Sequence, residues 1–474
     1  TDIFSTRFAI AAALYDAGDV AEAKSQLIAL DKELESSRDP KLQRIRANAN
    51  GTLSHLYSSA YERALALTHG KRAVELSDTS NADAESKIDN LQHYAYSLDV
   101  NEQIDASREA YRRAIQLAES ASGRDSIKAA QTQLTFGESL VAQSAPRLAI
   151  PHLRRAIEVG APKWGEDSFW AARAYEALGR SLSNVGEFEE AQAAYAKSQI
   201  GVDNNSAHIP VDTVIRNRLR YVDHLLNYGD PAAAQAILDK LPTLPAGSGV
   251  GRVLLPLTQG RALMDNGAYH ASLQHFKKFS RELATLWPLD SAEHAHILLR
   301  IALNQSLLSQ FTEANAICDG VLQRFPDLTG PLGKVQHVAL AQKALNAYLA
   351  GDAAAAVELS KPLVALAIAQ PVDQRRPNNT HILLLRHVIY LKAQGRCKEA
   401  LPMLKTTSEI ASKFSKNSML RAQSIAIHRE CLVATSETQA AANLPQALPI
   451  AALSQGTTPK HFQIGVAAVA KPSQ

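Results

Sequence analysis

The chain has 474 residues, of which 50 are basic and 47 acidic, so its formal net charge is only +3. This near balance disfavours a general polyanion binder, and nucleic acid is not an expected partner. Only 6% of the residues are aromatic, which is typical of thin helical layers that pack on their neighbours instead of forming one thick core.

Glycines recur along the chain, each shortly before an alanine that opens an apolar run. They are Gly18, Gly186, Gly229, Gly267, Gly351 and Gly395. Neighbouring gaps are 43, 38 and 44 residues, and the longer gaps of 84 and 168 residues are two and four periods of 42. A period of this length indicates a solenoid of stacked helical units.

Where a glycine is missing, the same spacing leads to Ser59, Glu102, Ser144 and Ser309, each followed by small or apolar residues. The sequence therefore predicts an all-α, right-handed α-solenoid over residues 1–434. It has about ten helix-turn-helix units, which turn near residues 18, 59, 102, 144, 186, 229, 267, 309, 351 and 395. Residues 408–434 are predicted to form a C-terminal capping helix, since a solenoid must cover its last apolar face.

The clearest unit spans residues 172–198 and has helical spacing of apolar and small residues on both sides of Gly186. Those residues are Leu178, Gly179, Leu182, Phe188, Ala191 and Tyr195. Gly179 and Ala191 are expected where helices pack closely. Gly186 is expected to end the first helix in the left-handed conformation.

This unit resembles the tetratricopeptide repeat. It matches the order of residues in that repeat: Leu-Gly, a large apolar residue, Gly-x-Phe/Tyr, Ala and an aromatic residue. Tyr175 stands where that repeat begins with Trp. Weaker matches include Gly260, Leu263, Gly267, Tyr269 and Phe276. The long period is similar to the kinesin-light-chain-like variant of bacterial multidomain signalling proteins, although the paired asparagines of that variant are absent. The resemblance implies a non-catalytic scaffold that binds a peptide or a partner domain in its concave groove.

In tetratricopeptide folds the first helix of each pair lines this groove, which implies a set of binding residues. They are Arg173, Glu176, Arg180, Asn184, Arg216, Arg220, Asp223, Asn227, Arg261, Asp265 and Arg300. Arginines dominate, and guanidinium groups with nearby asparagines suit a carboxylate or the backbone of an extended peptide. The alternative is that these arginines pair with the acidic residues of neighbouring helices and only keep the groove soluble.

Towards the C-terminal end, the equivalent groove positions become apolar. They are Leu303, Leu307, Leu345, Leu349 and Ile389. This half is expected to hold an amphipathic helix or the chain's own tail. The tail, residues 435–474, has low complexity and is interpreted as a flexible terminus, with Phe462 to Val466 as an alternative short strand or groove occupant.

No catalytic, cofactor or metal-binding motif is present, so the chain is not expected to be an enzyme. Glu138 and Glu176 are the only candidates for an inward carboxylate pair, as an α-helical toroid enzyme would need. Direct nucleic-acid binding through the arginines is a third, less favoured hypothesis.

The three cysteines, Cys318, Cys397 and Cys431, are far apart in the sequence and show no metal-site spacing. They argue against a disulfide framework and favour the cytoplasm, with the periplasm as the alternative. No apolar run of 18 residues occurs, so membrane insertion by this segment is not expected. Because Thr1 falls within a helical pattern, we expect the repeats to belong to a larger bacterial regulator. A Ser/Thr kinase or a winged-helix transcription regulator would fit.

Overall fold

The computed structural model describes residues 2–16, 19–243, 252–284, 288–329, 333–370, 377–414, 416, 418–446 and 459–464. These residues form helices joined by short turns, and none of them lies in a β-strand. The chain divides into two compact units, Thr1–Ser181 and Leu182–Gln474. The predicted all-α fold of stacked helical hairpins is confirmed.

Unit 1 is built from four helical hairpins and the greater part of a ninth helix. Its helices are α1 (Asp2–Asp16), α2 (Val20–Glu33), α3 (Pro40–Ser59), α4 (Arg63–Thr79), α5 (Ala84–Val100), α6 (Ile104–Ser122), α7 (Ile127–Ala142), α8 (Pro146–Trp164) and α9 (Phe169–Val185). The boundary between the units falls within α9.

Unit 2 continues the same alternation of first and second helices. Its helices are α10 (Phe188–Asn204), α11 (Val211–Asn227), α12 (Pro231–Leu238), α13 (Leu254–Asp265), α14 (Tyr269–Leu283), α15 (Ala292–Leu307), α16 (Phe311–Arg324), α17 (Val335–Leu349), α18 (Ala353–Ala369), α19 (Pro377–Ala393), α20 (Cys397–Ser412), α21 (Met419–Ala434), α22 (Thr438–Ala442) and α23 (Lys460–Gln463). Within each unit, first helices pack on their own second helices and on the next first helix, as α15 packs on α16 and on α17.

The turns within the hairpins contain left-handed backbone residues at the positions given by the 42-residue period. These residues are Glu102, Ser144, Gly186, Gly229, Gly267, Ser309, Gly351 and Gly395. In each case the next amide closes the helix end, as Glu187 N does on Leu182 O at 2.9 Å. The turn expected near Ser59 has its left-handed residue at Tyr61 instead, and Gly18 lies outside the described residues.

Capping side chains begin several first helices with a similar period. Asp83 accepts a hydrogen bond from Ser86 N (2.8 Å) at the start of α5, and Ser126 accepts one from Ala129 N (3.0 Å) at the start of α7. Ser168 does the same for Ala171 N (3.2 Å) ahead of α9. An oxygen side chain at this position satisfies an amide that has no partner within the helix, which fixes where each hairpin starts.

Small residues allow close packing within the hairpins. A Cβ atom added to Gly137 would lie 2.5 Å from the Leu153 side chain, and one added to Gly260 would lie 2.6 Å from the Phe276 ring. Gly179 and Ala191, expected at close-packed positions, are both buried. The alanine-rich composition therefore reflects helix pairs held at short distances.

The C-terminal end differs from the predicted cap over residues 408–434. Ser408 lies inside α20, and α21 begins only at Met419, after the Ser418 cap. The left-handed Ser436 (φ 67°) then joins α21 to the short α22. Because Ser436 follows Gly395 by one period, α21 and α22 continue the repeat as a further, truncated hairpin.

The cysteine interpretation is corrected as well. Cys397 at the start of α20 and Cys431 near the end of α21 form a disulfide with a Cα–Cα distance of 5.2 Å, while Cys318 is a buried free thiol. The packing of α20 on α21 brings together two cysteines that are 34 residues apart. Sequence spacing alone gives no sign of this contact. Among the described helices, none is both long enough and apolar enough to cross a membrane.

Candidate functional site

The structure distributes the eleven predicted binding residues over both units. In unit 1, α9 carries Arg173, Glu176 and Arg180. The other eight residues belong to unit 2: Asn184 at the end of α9, Arg216, Arg220, Asp223 and Asn227 on α11, Arg261 and Asp265 on α13, and Arg300 on α15. The two groups differ in how their charges are paired.

In unit 1 the arginines are matched by carboxylates of the same unit. Arg173 donates two hydrogen bonds to Glu138, at 2.7 and 3.2 Å, and its guanidinium lies over the Trp170 ring at 4.9 Å. Arg180 lies 3.7 Å from Glu176. Burial raises the pKa of Glu138, and the Arg173 charge opposes that rise. Both arginines are therefore paired within unit 1.

A cavity of about 620 Å³ adjoins these residues in unit 1, and its lining includes His55, Tyr96, Asp99 and Glu138. Its carboxylates already have partners. Asp99 accepts hydrogen bonds from Ser139 (2.6 Å) and from Gln143 (2.7 Å), and Glu138 accepts them from Arg173. This cavity offers a ligand few unsatisfied charges.

In unit 2, Arg261 is held between two aspartates. It lies 2.9 Å from Asp223 and 3.5 Å from Asp265, and Asn227 donates to Asp223 at 3.0 Å. Asp265 is buried, and burial raises its pKa to about 6 although Arg261 and Arg300 act in the opposite direction. Arg261 is therefore paired with aspartates of its own unit, as the arginines of unit 1 are paired with glutamates of theirs.

Arg300 is different, since its half-buried side chain makes no hydrogen bond or ion pair with any described residue. Burial, with the neighbouring Arg261 and Arg386 charges, lowers its pKa to about 10, although the charges of Asp265 and Asp223 act in the opposite direction. Arg386 of α19 is likewise half-buried and unpaired within the described part of the chain. Both line a cavity of about 440 Å³, which we call the arginine cavity.

Residues of five successive first helices line the arginine cavity, beginning with the predicted Asn227 of α11. They include Arg261 of α13, His296, Leu299, Arg300 and Leu303 of α15, His337, Val338, Ala341 and Gln342 of α17, and Ile382, Leu383 and Arg386 of α19. First helices of unit 2 thus form most of the lining, to which Leu363 of the second helix α18 also contributes. Arg216, Arg220 and Asn184 do not belong to it.

Arg386 was not among the predicted residues, although the sequence contains a signal for it. It follows Arg300 by 86 residues, which is two periods, with Lys343 midway between them. Extending the period by two units would have identified it.

A second, smaller cavity of about 140 Å³ adjoins the first and shares Arg261, Arg300, Leu303 and Arg386 with it. Here the structure places Pro459–Ile464, which we call the C-terminal segment, against α13, α14 and α21. Its single-turn helix α23 buries Phe462, which is 3% exposed. The apolar residues Leu303, Leu307 and Ile389 line the same site, as the alternative of a tail-binding groove anticipates.

Polar contacts fix the backbone and the ring of this segment. Gln423 donates to the carbonyl of Ile464 at 2.8 Å, and the Tyr269 hydroxyl lies 3.1 Å from His461 Nδ1. His461 Nε2 is 3.5 Å from Asp265, but burial lowers the pKa of His461 to about 3, so the imidazole is neutral and this contact is not an ion pair. For these six residues, a docked segment replaces the interpretation of a flexible terminus.

No protein-family model matches the chain, and no curated protein matches it. Among solved structures, it is similar to BtubC (BKLC) from P. vanneervenii at 16% identity and a TM-score of 0.40, over 47% of this chain and 87% of that one.

Two further similar structures are Rap proteins. The apo form of RapI is 11% identical with a TM-score of 0.39, over 68% of this chain and 97% of that one. A Rap protein complexed with competence and sporulation factor is 9% identical with a TM-score of 0.40, over 87% of this chain and 99% of that one. At these values the similarity assigns neither a family nor a function to this chain.

Proposed function

We propose that the chain is a non-catalytic interaction protein whose unit 2 binds a peptide segment of a partner protein. The observation that carries this proposal is the docking of Pro459–Ile464. Six residues of peptide are held by a backbone contact from Gln423 and by burial of Phe462. A surface that recognises backbone carbonyls and an aromatic side chain in its own chain has the chemistry to recognise them in another.

The carboxylates of unit 1 support the non-catalytic part of this proposal. Glu138 and Glu176, the only acid pair suggested by the sequence, lie beside Arg173 and Arg180, respectively. A general acid or base needs a carboxylate that is free to exchange a proton with a substrate. These two carboxylates are instead paired with cations of their own unit.

We further propose that the hairpins are tetratricopeptide repeats of the long, kinesin-light-chain-like kind, within a larger bacterial regulatory protein. The residue pattern around Gly186 and the 42-residue period support this assignment. A Ser/Thr kinase or a winged-helix transcription regulator would use such an array to recruit or sense a partner. The disulfide between Cys397 and Cys431 favours the periplasm over the cytoplasm, because structural disulfides persist in oxidising compartments.

Selection of displayed random peptides on the full chain tests the binding function. We expect Leu303→Glu to abolish capture of the selected peptides, because it places a charge in the apolar part of the site. The matched control is Lys278→Glu, an exposed position on α14 that lines neither the arginine cavity nor the adjoining smaller cavity. Recovery of no peptide, or equal loss of capture in both variants, would refute the proposal.

A further inference from the structure

The arginine cavity contains more positive charge than the protein itself neutralises. Arg261, Arg300 and Arg386 line the two adjoining cavities, and Asp265 is the only acidic residue among the lining residues that the structure describes. Asp265 is already next to Arg261 and faces the neutral His461. The half-buried guanidinium groups of Arg300 and Arg386 therefore form no direct ion pair in the described structure, although Asp265 and Asp223 attract Arg300 over a longer distance.

Such a pair is unfavourable unless an anion binds to it. Partial burial removes water from both guanidinium groups, and the like charges of Arg261, Arg300 and Arg386 repel one another. Both effects lower the pKa of Arg300, and attraction by Asp265 and Asp223 offsets them only in part. An anion between the two arginines would relieve both costs, and the planar fork of arginine fits a carboxylate through paired hydrogen bonds.

The remaining lining indicates what carries this carboxylate. Leu299, Val338 and Leu383 form an apolar wall beside the arginines. His337 is buried, and its Nε2 lies 2.8 Å from the Leu328 carbonyl, so the proton belongs on Nε2. Its Nδ1 is then a buried acceptor without a partner among the described residues. An apolar wall beside two arginines suits a carboxylate that has an apolar neighbour, as in a peptide, better than an inorganic anion.

We propose that Arg300 and Arg386 bind the carboxylate of an acidic residue in a partner peptide, and that the adjoining wall receives an apolar side chain next to it. This inference rests on the proposed peptide-binding function and specifies its ligand. The docked C-terminal segment does not supply the group, because Pro-Lys-His-Phe-Gln-Ile contains no acidic residue. The partner fills a position that the chain's own segment leaves empty.

Two libraries of capped peptides test the proposal on the full chain. One has a central Glu flanked by random apolar residues, and the other has Gln in place of Glu. We expect the Glu library to be retained about 10-fold or more above the Gln library, since a hydrogen bond to a charged group contributes about that factor. Arg300→Gln combined with Arg386→Gln should remove the preference for Glu.

Two controls keep the result interpretable. Arg281→Gln changes an exposed arginine of α14 that lies outside both cavities and should leave the preference intact. Arg300→Lys with Arg386→Lys keeps both charges but loses the paired donors, so it should reduce the preference without abolishing it. The glutamine variant removes like-charge repulsion, and its thermal unfolding should occur at or above the wild-type temperature.

The outcomes separate the two proposals. Equal retention of both libraries by the wild-type chain would overturn the carboxylate site and leave peptide binding standing. Retention of neither library would overturn the site together with the peptide-binding function. Retention of a single-stranded oligonucleotide that the glutamine variant loses would replace the peptide with a nucleic-acid phosphate as the ligand.

Discussion

Replacing Phe462 with alanine is expected to release the C-terminal segment from unit 2. The Phe462 side chain is 3% exposed, whereas Lys460 and Gln463 in the same helical turn are exposed. Burying a phenylalanine side chain contributes about 1.5–3 kcal/mol, and each 1.4 kcal/mol is a factor of ten in an equilibrium constant. We therefore expect the docking equilibrium to weaken by roughly 10- to 150-fold.

Hydrogen exchange followed by mass spectrometry on the full chain measures this equilibrium. Peptides that cover residues 459–464 should exchange faster in Phe462→Ala, and so should those around Gln423, whose side chain binds the Ile464 carbonyl. Lys460→Ala is the matched control, because it truncates an exposed side chain of the same turn. Unchanged exchange in Phe462→Ala, or equal acceleration in both variants, would show that burial of this ring does not hold the segment in place.

Three further predictions concern the stability of the repeats. Replacing Cys397 and Cys431 with serine should lower the free energy of unfolding by about 4 kcal/mol, because the disulfide closes a 34-residue loop. Reductant should weaken the wild type in urea unfolding but leave the variant unchanged. A wild type that is equally insensitive to reductant would contradict this prediction. Gly260→Ala should destabilise by about 1–3 kcal/mol through its contact with a buried ring, whereas Gly320→Ala, on an exposed helix face with open space around it, should stabilise by about 0.5–1 kcal/mol. An equal effect of the two changes in thermal unfolding would argue against close packing at the first position. Burial lowers the pKa of His224 from 6.5 to about 3, so its stabilising effect is complete above pH 6.5 and is lost as the pH falls towards 3. Comparing pH 7 with pH 5, His224→Gln should reduce the acid-induced loss of unfolding free energy by about 2 kcal/mol, and an unchanged loss would show that this imidazole is not buried in its neutral form.

The helical hairpins could be predicted from the sequence because their signals are local. A left-handed residue, the helix before it and the small residues after it fall within one period, as around Gly186 and Gly267. Ser418, as a helix cap, and Ser436, as a left-handed turn residue, give the same local signals, so the truncated final hairpin could also have been predicted. It was missed because the low-complexity composition after Thr435 masked the continuation of the period.

The candidate site was predictable only in part. The period placed Arg300 on a first helix of unit 2, and a longer extension of the same register would have reached Arg386. The sequence does not predict which arginines form ion pairs, because Arg173 and Arg300 have similar positions in the repeat. A neighbouring first helix supplies Glu138 to Arg173, whereas Arg300 forms no ion pair with a described carboxylate and is attracted by Asp265 and Asp223 only over a longer distance.

The sequence by itself determined the repeating unit, its period and the helix ends, because backbone conformation at a turn depends on residues only a few positions away. Tertiary structure alone decided which charges are neutralised, that Cys397 meets Cys431, and that Phe462 is buried nearly 200 residues beyond Tyr269. These contacts depend on burial and distance between separate helices, which a single periodic pattern does not encode. The arginine cavity, and with it the proposed carboxylate site, belongs to this second group.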